Sequence, residues 1–446
     1  MIGKRIAHFS PGRALLSSFC ITILFGTAAL CLPWARNVSI PFLDILFTAT
    51  SATCVTGLFT ISLDQFSTFG HIILLILIQI GGLGLITLSI FLISLFINLG
   101  MSSQIMLGQV LEIESWKYLK RILFFTIGLT LMVEFIGAAI IYWSIHESFD
   151  TPYALFIALF QSISAFCNAG IVHNLSLFNN NYPVLIVTAF LVFTGGLGFV
   201  VWYEIVSWIG SLFRRKRYQF SLHSKIILIG STLIIGCFAM LFWILEHDNI
   251  FAAYTPYKAL FISLFHAISL RSSGFMTIPL HELQLPTIFI IMILCIIGSA
   301  PGSTGSGIKV TTFFIYIATI KAVVVGNSAV IIKGRTIPHE QVLKCIAIVS
   351  LSLLWIALAT ICLLITEVGW GFLQIIFEVI SSFTTLGLSL GITSSLSTVG
   401  KIIIIINMII GRIGSLTLIV ALRQATIQGR HENVGISYPE ERVMLS

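Results

Sequence analysis

The chain has 446 residues and a mean hydropathy of +1.05, with 57% hydrophobic residues and only 9% charged ones. A soluble domain carries about 25% charged residues, so this chain lacks the polar surface of an ordinary soluble enzyme. The composition therefore predicts an all-α polytopic membrane protein, with a formal net charge of +7.

Apolar windows of two lengths alternate along the chain. A window of about 20 residues can cross the hydrocarbon layer as a helix, whereas 10 to 14 residues are typical of a re-entrant segment. The long windows predict eight crossings, at 14–32, 69–97, 119–144, 183–210, 224–245, 288–325, 342–366 and 398–424. The short windows predict re-entrant pore helices at 41–52, 153–166, 257–270 and 371–384.

A glycine-bearing polar turn follows each short window. The turns align without gaps as TSATCVTGL, ISAFCNAGI, AISLRSSGF and ISSFTTLGL. Their glycines, Gly57, Gly170, Gly274 and Gly387, are spaced 113, 104 and 113 residues apart. A shared motif at a near-constant period indicates an internal repeat. We therefore predict four pseudo-symmetric repeats of crossing, pore helix, turn and crossing around one central pore, at 1–97, 98–210, 211–325 and 326–424.

Glycines also recur in the second crossing of three repeats, as GGLG at 81–84, GGLG at 195–198 and GRIG at 411–414. Close helix packing through small residues explains the first two motifs. The third differs because it places Arg412 inside a membrane span.

The basic residues predict the orientation of the chain. With the amino terminus in the cytoplasm, 18 of the 24 Lys and Arg residues fall in cytoplasmic segments. The positive-inside rule then places both termini in the cytoplasm, including a polar tail at 425–446. Nine of the 17 acidic residues fall in the outer portions, so we expect the outer mouth to attract cations.

The four turns have the chemistry of a cation filter. Irregular backbone at membrane depth must be buried in protein or line water, and four turns around one axis satisfy this together. Glycine lets successive carbonyl groups point inward, where their oxygens replace the hydration shell of a monovalent cation. A helix C-cap explains any one of these glycines taken alone, but not four at this spacing.

The turns, at 53–58, 167–171, 271–275 and 385–388, hold no carboxylate, which suits K⁺ better than a divalent cation. The predicted ligands are mainly the backbone carbonyls of Val55, Thr56, Gly57, Asn168, Ala169, Gly170, Ser272, Ser273, Gly274, Thr385, Leu386 and Gly387. K⁺ at these turns is the only metal ion that we predict for the chain.

The sixth crossing is interrupted by GSAPGSTGSGIK at 298–309, hereafter the 298–309 loop. Glycine costs a helix about 1 kcal/mol and proline about 3, so a continuous helix is excluded and the loop must face a water-filled cavity. There it could block a pore and move aside, although a passive kink is the alternative. The predicted gate residues are Gly298, Gly302, Ser303, Thr304, Gly305, Ser306, Gly307, Lys309 and Arg412.

For three basic side chains near the turns and the 298–309 loop, the sequence leaves alternative roles open. Arg412 either donates to carbonyl groups of the 298–309 loop, presents a positive barrier, or forms a salt bridge with Glu204 or Glu134. Lys309 either belongs to the gate or reaches the cytoplasmic boundary by snorkelling. For Arg271, in the third turn, a structural ion pair with an outer carboxylate is favoured over direct ion contact.

With these motifs, the chain resembles the Trk/Ktr/HKT superfamily of potassium transporters, most closely the KtrB-type membrane subunit of bacterial Ktr systems. The resemblance extends from about residue 10 to residue 425. It implies that the 298–309 loop is an intramembrane gate and that Arg271 matches an Arg common at this place. One glycine in each turn implies fewer ordered ion sites, and hence weaker discrimination against Na⁺, than in potassium channels.

The resemblance also implies partners. It predicts a homodimer with one pore in each protomer, and a KtrA-type ring of cytosolic regulatory subunits that carries the nucleotide (ATP or ADP). The chain itself has no phosphate-binding loop, because GSAPGSTGSGIK lacks the Gly-Lys-Ser/Thr ending. We expect no cofactor in this chain, Na⁺ as a candidate activator, the lipid bilayer as surroundings, and no nucleic acid.

The connection 321–344 offers a docking element on the cytoplasmic face. Its two β-branched runs around Gly-Asn-Ser, at 326–328, predict a hairpin. The basic run 214–217 is suited either to a partner ring or to anionic lipid headgroups.

The sequence thus predicts K⁺ uptake across the bacterial cytoplasmic membrane through a gated, selective pore. Alternating access by a secondary cation transporter is the alternative, since broken helices and repeats also occur there. A membrane-embedded enzyme is disfavoured because His, Glu and Asp are sparse in the spans. The eight cysteines show no metal or redox spacing and are interpreted as core or pore-lining thiols, neither disulfides nor ligands.

Overall fold

The computed structural model describes residues 11–84, 116–174, 178, 181–215, 217–327 and 329–414. The predicted tail at 425–446 and the ends of two predicted crossings, 85–97 and 415–424, lie outside these residues.

The described chain is almost entirely helical. Its α-helices are α1 (Pro11–Leu30), α2 (Phe42–Cys54), α3 (Thr68–Leu83), α4 (Trp116–Ile145), α5 (Thr151–Phe166), α6 (Tyr182–Gly196), α7 (Phe199–Phe213), α8 (Leu222–Leu245), α9 (Pro256–Ser269), α10 (Leu285–Ile296), α11 (Val310–Val325), α12 (His339–Thr366), α13 (Phe372–Thr384) and α14 (Thr398–Ile413). Short 3₁₀ turns lie at Pro33–Ala35, Leu63–Gln65, Ile250–Ala253, Leu280–Glu282 and Thr393–Ser395.

Local sequence accounts for where several helices begin. Ser67, Ser221 and Ser397 cap α3, α8 and α14, and each side-chain oxygen accepts a hydrogen bond from a backbone N–H in the first turn. Proline occupies the first or second position of α5, α6, α9 and α10, where its missing N–H removes no helical hydrogen bond.

Three helices of the described chain are long and apolar enough to cross a membrane: Phe124–Ile145, Leu222–Leu245 and His339–Thr366. The pair α6 and α7 would form a fourth span if counted as one. The chain is thus a multi-pass membrane protein by helix length and composition, while the eight crossings stay a prediction.

The predicted crossing 183–210 is wrong as a continuous helix. The structure breaks it after Gly196 and turns α7 by 103° from α6. Gly198, with φ of +86°, makes the turn, and a Cβ there would lie 2.7 Å from the carbonyl oxygen of Pro301. The first N–H group of α7, on Phe199, donates to Gly302 O at 3.0 Å. The helix therefore breaks where the 298–309 loop packs against it.

The hairpin exists, but its predicted turn is wrong. Strands β1 (Ile331–Ile332) and β2 (Arg335–Thr336) pair antiparallel around Lys333 and Gly334, both at positive φ. The valines before the predicted turn instead belong to α11, which is capped by Gly326 with φ of +77°. They continue a long apolar helix, and that continuity outweighs the β-propensity of valine.

Twelve of the fourteen helices pack as four groups of three, α1–α3, α4–α6, α8–α10 and α12–α14, with α7 and α11 outside these groups. Between groups, α3 packs on α5, α6 on α9, α10 on α13, and α14 on α2. Each group thus places its third helix against the short middle helix of the next, and the last contact returns to the first group. Two large apolar clusters fill the interior, one mainly in the first two groups and one mainly in the last two.

Candidate functional site

The ends of the short helices α2, α5, α9 and α13 meet at four glycine turns, which we define as residues 55–57, 168–170, 272–274 and 385–387. Their glycines, Gly57, Gly170, Gly274 and Gly387, have φ of +91°, +65°, +70° and +85°, in the left-handed region that favours glycine. All other residues of the four turns are buried.

The four glycines contact one another's turns in cyclic order. A Cβ on Gly57 would overlap the carbonyl oxygen of Ala169, and one on Gly170 would overlap that of Ser273. A Cβ on Gly274 would overlap Leu386 O, and one on Gly387 would overlap Thr56 O. Each glycine therefore lies against the carbonyl before the next glycine, and the fourth contact closes on the first turn.

A serine near the end of three of the short helices supports the turn through its hydroxyl group, a feature that the sequence analysis missed. Ser51 Oγ accepts from Gly57 N at 3.0 Å, Ser164 Oγ donates to Ile171 O at 2.7 Å, and Ser269 Oγ donates to Phe275 O at 2.6 Å. In the fourth turn, Ser381 accepts from Leu386 N at 2.8 Å through its backbone carbonyl only, and its hydroxyl has no hydrogen-bond partner among the described residues. The serine lies six residues before the glycine in three turns and five before it in the third, a shift that hides the pattern in an ungapped alignment.

The glycines of the second crossings let α3, α6 and α14 approach the short helices. A Cβ on Gly81, Gly195 or Gly411 would overlap the carbonyl oxygen of Thr53, Phe166 or Phe383, respectively. Each of those carbonyls lies four residues before a turn glycine. The third group differs, because there the thiol of Cys295 donates to Leu270 O at 3.4 Å.

The 298–309 loop lies between α10 and α11, and its two ends are joined by backbone hydrogen bonds. Gly298 N donates to Ile308 O at 2.9 Å, and Ile308 N donates to Ile296 O at 3.0 Å. A Cβ on Gly298 would overlap Ser306 O, and Gly307, with φ of +79°, lies beside it. The loop is therefore a closed unit, with Gly302 exposed at its tip.

The loop packs against the end of α6 and the second glycine turn. Ala300 N donates to Gly196 O and Thr304 N to Gly195 O, both at 3.1 Å. The Thr304 hydroxyl donates to Phe166 O at 3.0 Å. Ser303 instead donates to Ala300 O at 2.6 Å within the loop.

Arg412 links the loop to α3 and forms no salt bridge among the described residues. Its Nη1 donates to Thr304 O and, at 3.2 Å, to Ser306 Oγ, while Nη2 donates to Gly81 O at 2.5 Å. The salt-bridge alternative is therefore wrong. Glu204 accepts from Ser221 N, and Glu134 from Gln79 Nε2, both at 3.1 Å.

Lys309 and Arg271 both bond to backbone carbonyl groups, which for Lys309 leaves the assignment to the 298–309 loop and for Arg271 differs from the expected ion pair. Lys309 Nζ donates to Gly305 O at 2.7 Å, so the lysine folds back on the loop and does not snorkel. Arg271 is 3% exposed and donates from Nη2 to Gly196 O at 3.2 Å, so the predicted ion pair with an outer carboxylate is wrong. The partner of Arg271 is thus a backbone carbonyl group next to the loop and not a carboxylate.

Four of the nine outer carboxylates are buried and hydrogen-bonded, so they act as anchors. Asp44 accepts from Thr60 Oγ1 at 2.7 Å and from Lys401 Nζ at 2.5 Å, and thereby joins α2 to α14. Glu246, Glu367 and Glu378 accept from loop residues of their own groups. The attraction of cations to the outer mouth stays a prediction, and these four carboxylates are not exposed there.

Cysteine and metal chemistry add little to the site. The eight cysteines are free, and Cys54 and Cys167 are buried directly before the first and second glycine turns. Among the described residues, no group of three or more His, Cys, Asp or Glu side chains could hold a metal ion.

Comparison with known proteins identifies the family. The family model described as "TrkH: Cation transport protein" matches residues 17–433. The chain belongs to this family. It is therefore a transporter and not an enzyme, as the sequence predicts, and the resemblance to the Trk/Ktr group is confirmed.

Two curated relatives match nearly end to end. The chain is 34% identical to the Ktr system potassium uptake protein B of Bacillus subtilis strain 168, covering 98% of this chain and 97% of the relative. It is 31% identical to the potassium/sodium uptake protein NtpJ of Enterococcus hirae, covering 99% of each. Among solved structures, the potassium transporter TrkH from Vibrio parahaemolyticus superposes with a TM-score of 0.69 at 20% identity, covering 91% of this chain and 85% of that one. The membrane-transporter fold of that family is therefore the fold of this chain.

Proposed function

We propose that the protein takes up K⁺ across the bacterial cytoplasmic membrane through one pore lined by the four glycine turns. Carbonyl oxygens of residues 55–57, 168–170, 272–274 and 385–387 are the ion ligands. Potassium is the ion named for both relatives, and the turns hold no carboxylate of the kind a divalent cation prefers.

The closed cycle of contacts between turn glycines and carbonyl groups carries this proposal. A filter needs several carbonyl groups at one axis and a backbone that holds them there. The cycle supports both requirements, because each glycine touches the carbonyl before the next one and has no Cβ to push it away.

The 298–309 loop is the gate of this proposed pore. The loop packs beneath the second turn through Thr304 and is tied to α3 and α14 by Arg412. Backbone hydrogen bonds from Ala300 N and Thr304 N to the end of α6, and from Phe199 N to Gly302 O, add to these side-chain contacts. All of them lie at helix ends, so they can break without unfolding a helix. Gly298, Gly302, Ser303, Thr304, Gly305, Ser306, Gly307, Lys309 and Arg412 form the gate.

The remaining arrangement is proposed from the sequence. The repeats are 1–97, 98–210, 211–325 and 326–424, with both termini in the cytoplasm. The protein acts as a homodimer under a cytosolic KtrA-type ring that binds ATP or ADP, consistent with the B. subtilis relative being a component of a Ktr system. Sodium acts as an activator, consistent with the E. hirae relative being named for both ions.

Electrical recording from purified protein in liposomes tests the pore. A pore predicts that the reversal potential follows the K⁺ gradient whatever the Na⁺ or proton gradient. A reversal potential that moves with a coupling ion would instead favour alternating access. Protein with Gly57, Gly170, Gly274 and Gly387 all changed to Ala is the control for currents that bypass the turns.

A further inference from the structure

Asn168, in the second glycine turn, makes side-chain contact with both another turn and the 298–309 loop. Its Nδ2 donates to Thr304 Oγ1 at 2.5 Å, and its Oδ1 accepts from Ser272 Oγ, in the third turn, at 3.3 Å. The side chain is 1% exposed, so neither bond competes with bulk water.

The backbone holds this side chain in place. Asn168 has φ of +61°, and Asn tolerates the left-handed region better than other residues that carry a Cβ. Its N–H donates to Ala165 O at 3.1 Å, and the next residue, Ala169, supplies the carbonyl that Gly57 touches. A shift of Asn168 would therefore move a carbonyl of the cycle.

On the loop side, every polar atom of Thr304 is occupied. Its N–H donates to Gly195 O, its carbonyl accepts from Arg412, and its hydroxyl donates to Phe166 O while accepting from Asn168. Thr304 is fully buried. If the loop moves away from α5 and α6, Asn168 therefore loses Thr304 Oγ1 as its hydrogen-bond acceptor.

The other turns lack this link. Val55 and Thr385 stand at the same position as Asn168, two residues before the glycine. Valine has no polar group, and Thr385 Oγ1 has no hydrogen-bond partner among the described residues. In the third turn, Ser272 donates to Asn168, and its Cβ lies where a Cβ added to Gly305 of the loop would be 3.0 Å away.

From these contacts we propose that Asn168 is a positioning residue that couples the loop to ion selection. With the loop seated, Thr304 and Ser272 hold the amide and fix the carbonyl groups of the second turn. With the loop displaced, the second turn relaxes, and the preference for K⁺ over Na⁺ falls. This inference rests on the proposed function, since it takes the turns as filter and the loop as gate.

A double-mutant cycle between Asn168 and Thr304 tests the coupling. The variants are Asn168→Asp, Thr304→Val and the double variant, with uptake rate and the ratio of K⁺ to Na⁺ uptake measured in a transport-deficient strain. Asp keeps the acceptor for Ser272 but cannot donate to Thr304, and Val keeps the shape of threonine without its hydroxyl. One hydrogen bond of this kind corresponds to a change of about tenfold or less.

We expect Thr304→Val, a change on the loop, to lower the ratio of K⁺ to Na⁺ uptake severalfold. We expect Asn168→Asp, a change in the second turn, to raise the uptake rate. The double variant should resemble the stronger single variant. Thr304→Ser, which restores the hydroxyl, should recover the ratio, a result that a purely structural role in folding would not require.

Thr360→Val is the matched control, because Thr360 is buried in α12, outside the turns and the loop, and its hydroxyl donates to Ile356 O of the same helix. It should leave the ratio of K⁺ to Na⁺ unchanged whatever it does to the rate. Additive effects, with Thr304→Val altering rate alone, would overturn the coupling. If a Gly387→Ala variant in the same assay also keeps the wild-type ratio, the fault lies in the proposed filter and not only in the coupling.

Discussion

At the residue scale, the turn glycines are constrained both by backbone angle and by a neighbouring carbonyl. Gly387 and Gly391 separate these effects. Both have positive φ, at +85° and +98°. A Cβ on Gly387 would overlap Thr56 O, whereas a Cβ on Gly391 would meet nothing within 4 Å.

We therefore expect Gly387→Ala to lower the K⁺ to Na⁺ preference about tenfold or more, and Gly391→Ala to leave it near wild type. Both substitutions place an alanine at positive φ, which costs a similar backbone strain of the order of 1 kcal/mol. The difference in ion preference between the two variants therefore measures the effect of the contact with the carbonyl oxygen. Uptake of the two ions, normalised to the amount of protein in the membrane, is the measurement. Equal ratios in the two variants would remove the fourth turn from the filter.

Arg412 is the second case at this scale. Its two terminal nitrogens bond to different elements, the 298–309 loop and α3. A lysine has a single charged nitrogen and cannot reproduce the planar guanidinium.

Replacement by Lys should therefore raise the resting flux of K⁺ in liposomes nearly as much as replacement by Gln, by severalfold in each case. The expected cause is a loosely held loop. A lysine variant with wild-type flux, beside a leaky glutamine variant, would show that charge alone holds the loop.

At the element scale, the 298–309 loop is a folded unit and not an unstructured break in a helix. Parallel backbone hydrogen bonds join its ends, and its interior glycines pack against backbone and side chains. At its tip, by contrast, a Cβ on Gly302 would meet no atom within 4 Å.

Substitutions at different glycines of the loop should therefore change the K⁺ flux by different amounts. A Cβ on Gly305 would overlap Ser299 Oγ, so Gly305→Ala should unseat the loop and raise K⁺ flux severalfold. Gly302→Ala meets no neighbour and should change flux less, although its φ of +64° carries some strain. A larger effect at Gly302 than at Gly305 would contradict this packing. Flux in liposomes, with thermal unfolding in detergent to verify folding, is the measurement.

At the scale of the whole molecule, the four helix groups close on themselves where α14 packs on α2. The ion pair between Asp44 and Lys401 lies at this contact, and its side chains are only 8% and 16% exposed. The pair of Glu340 with Lys344 is its exposed counterpart, with side chains 79% and 59% exposed.

Breaking the buried pair leaves an uncompensated charge, at a cost of about 3–5 kcal/mol, while an exposed pair contributes less than about 1 kcal/mol. Asp44→Asn should therefore lower the melting temperature in detergent clearly, and Glu340→Gln hardly at all. Removing both charges with Asp44→Asn and Lys401→Met should recover part of the loss. Equal melting temperatures for Asp44→Asn and Glu340→Gln would mean that the pair does not stabilise the closure.

Much of the local architecture follows from the sequence. The helices α2, α5, α9 and α13 begin and end within two residues of the short apolar windows, and each ends at a glycine-bearing turn. Apolar length, proline and glycine act over a few neighbouring residues, so a linear reading detects them. The family resemblance drew on the same signals.

Only the tertiary structure decided the hydrogen-bond partners of the buried arginines and the turn between α6 and α7. A sequence does not say which carbonyl group a buried arginine will reach, and here Arg412 and Arg271 bond to backbone groups of other helices and not to carboxylates. The 103° turn at Gly198 exists because a loop more than a hundred residues later packs there. The apolar windows, capping residues and glycines thus set the helices and turns, because these depend on local chain energetics. Contacts between distant segments set the polar network around the 298–309 loop, because a buried donor takes whichever acceptor the packed fold brings within reach.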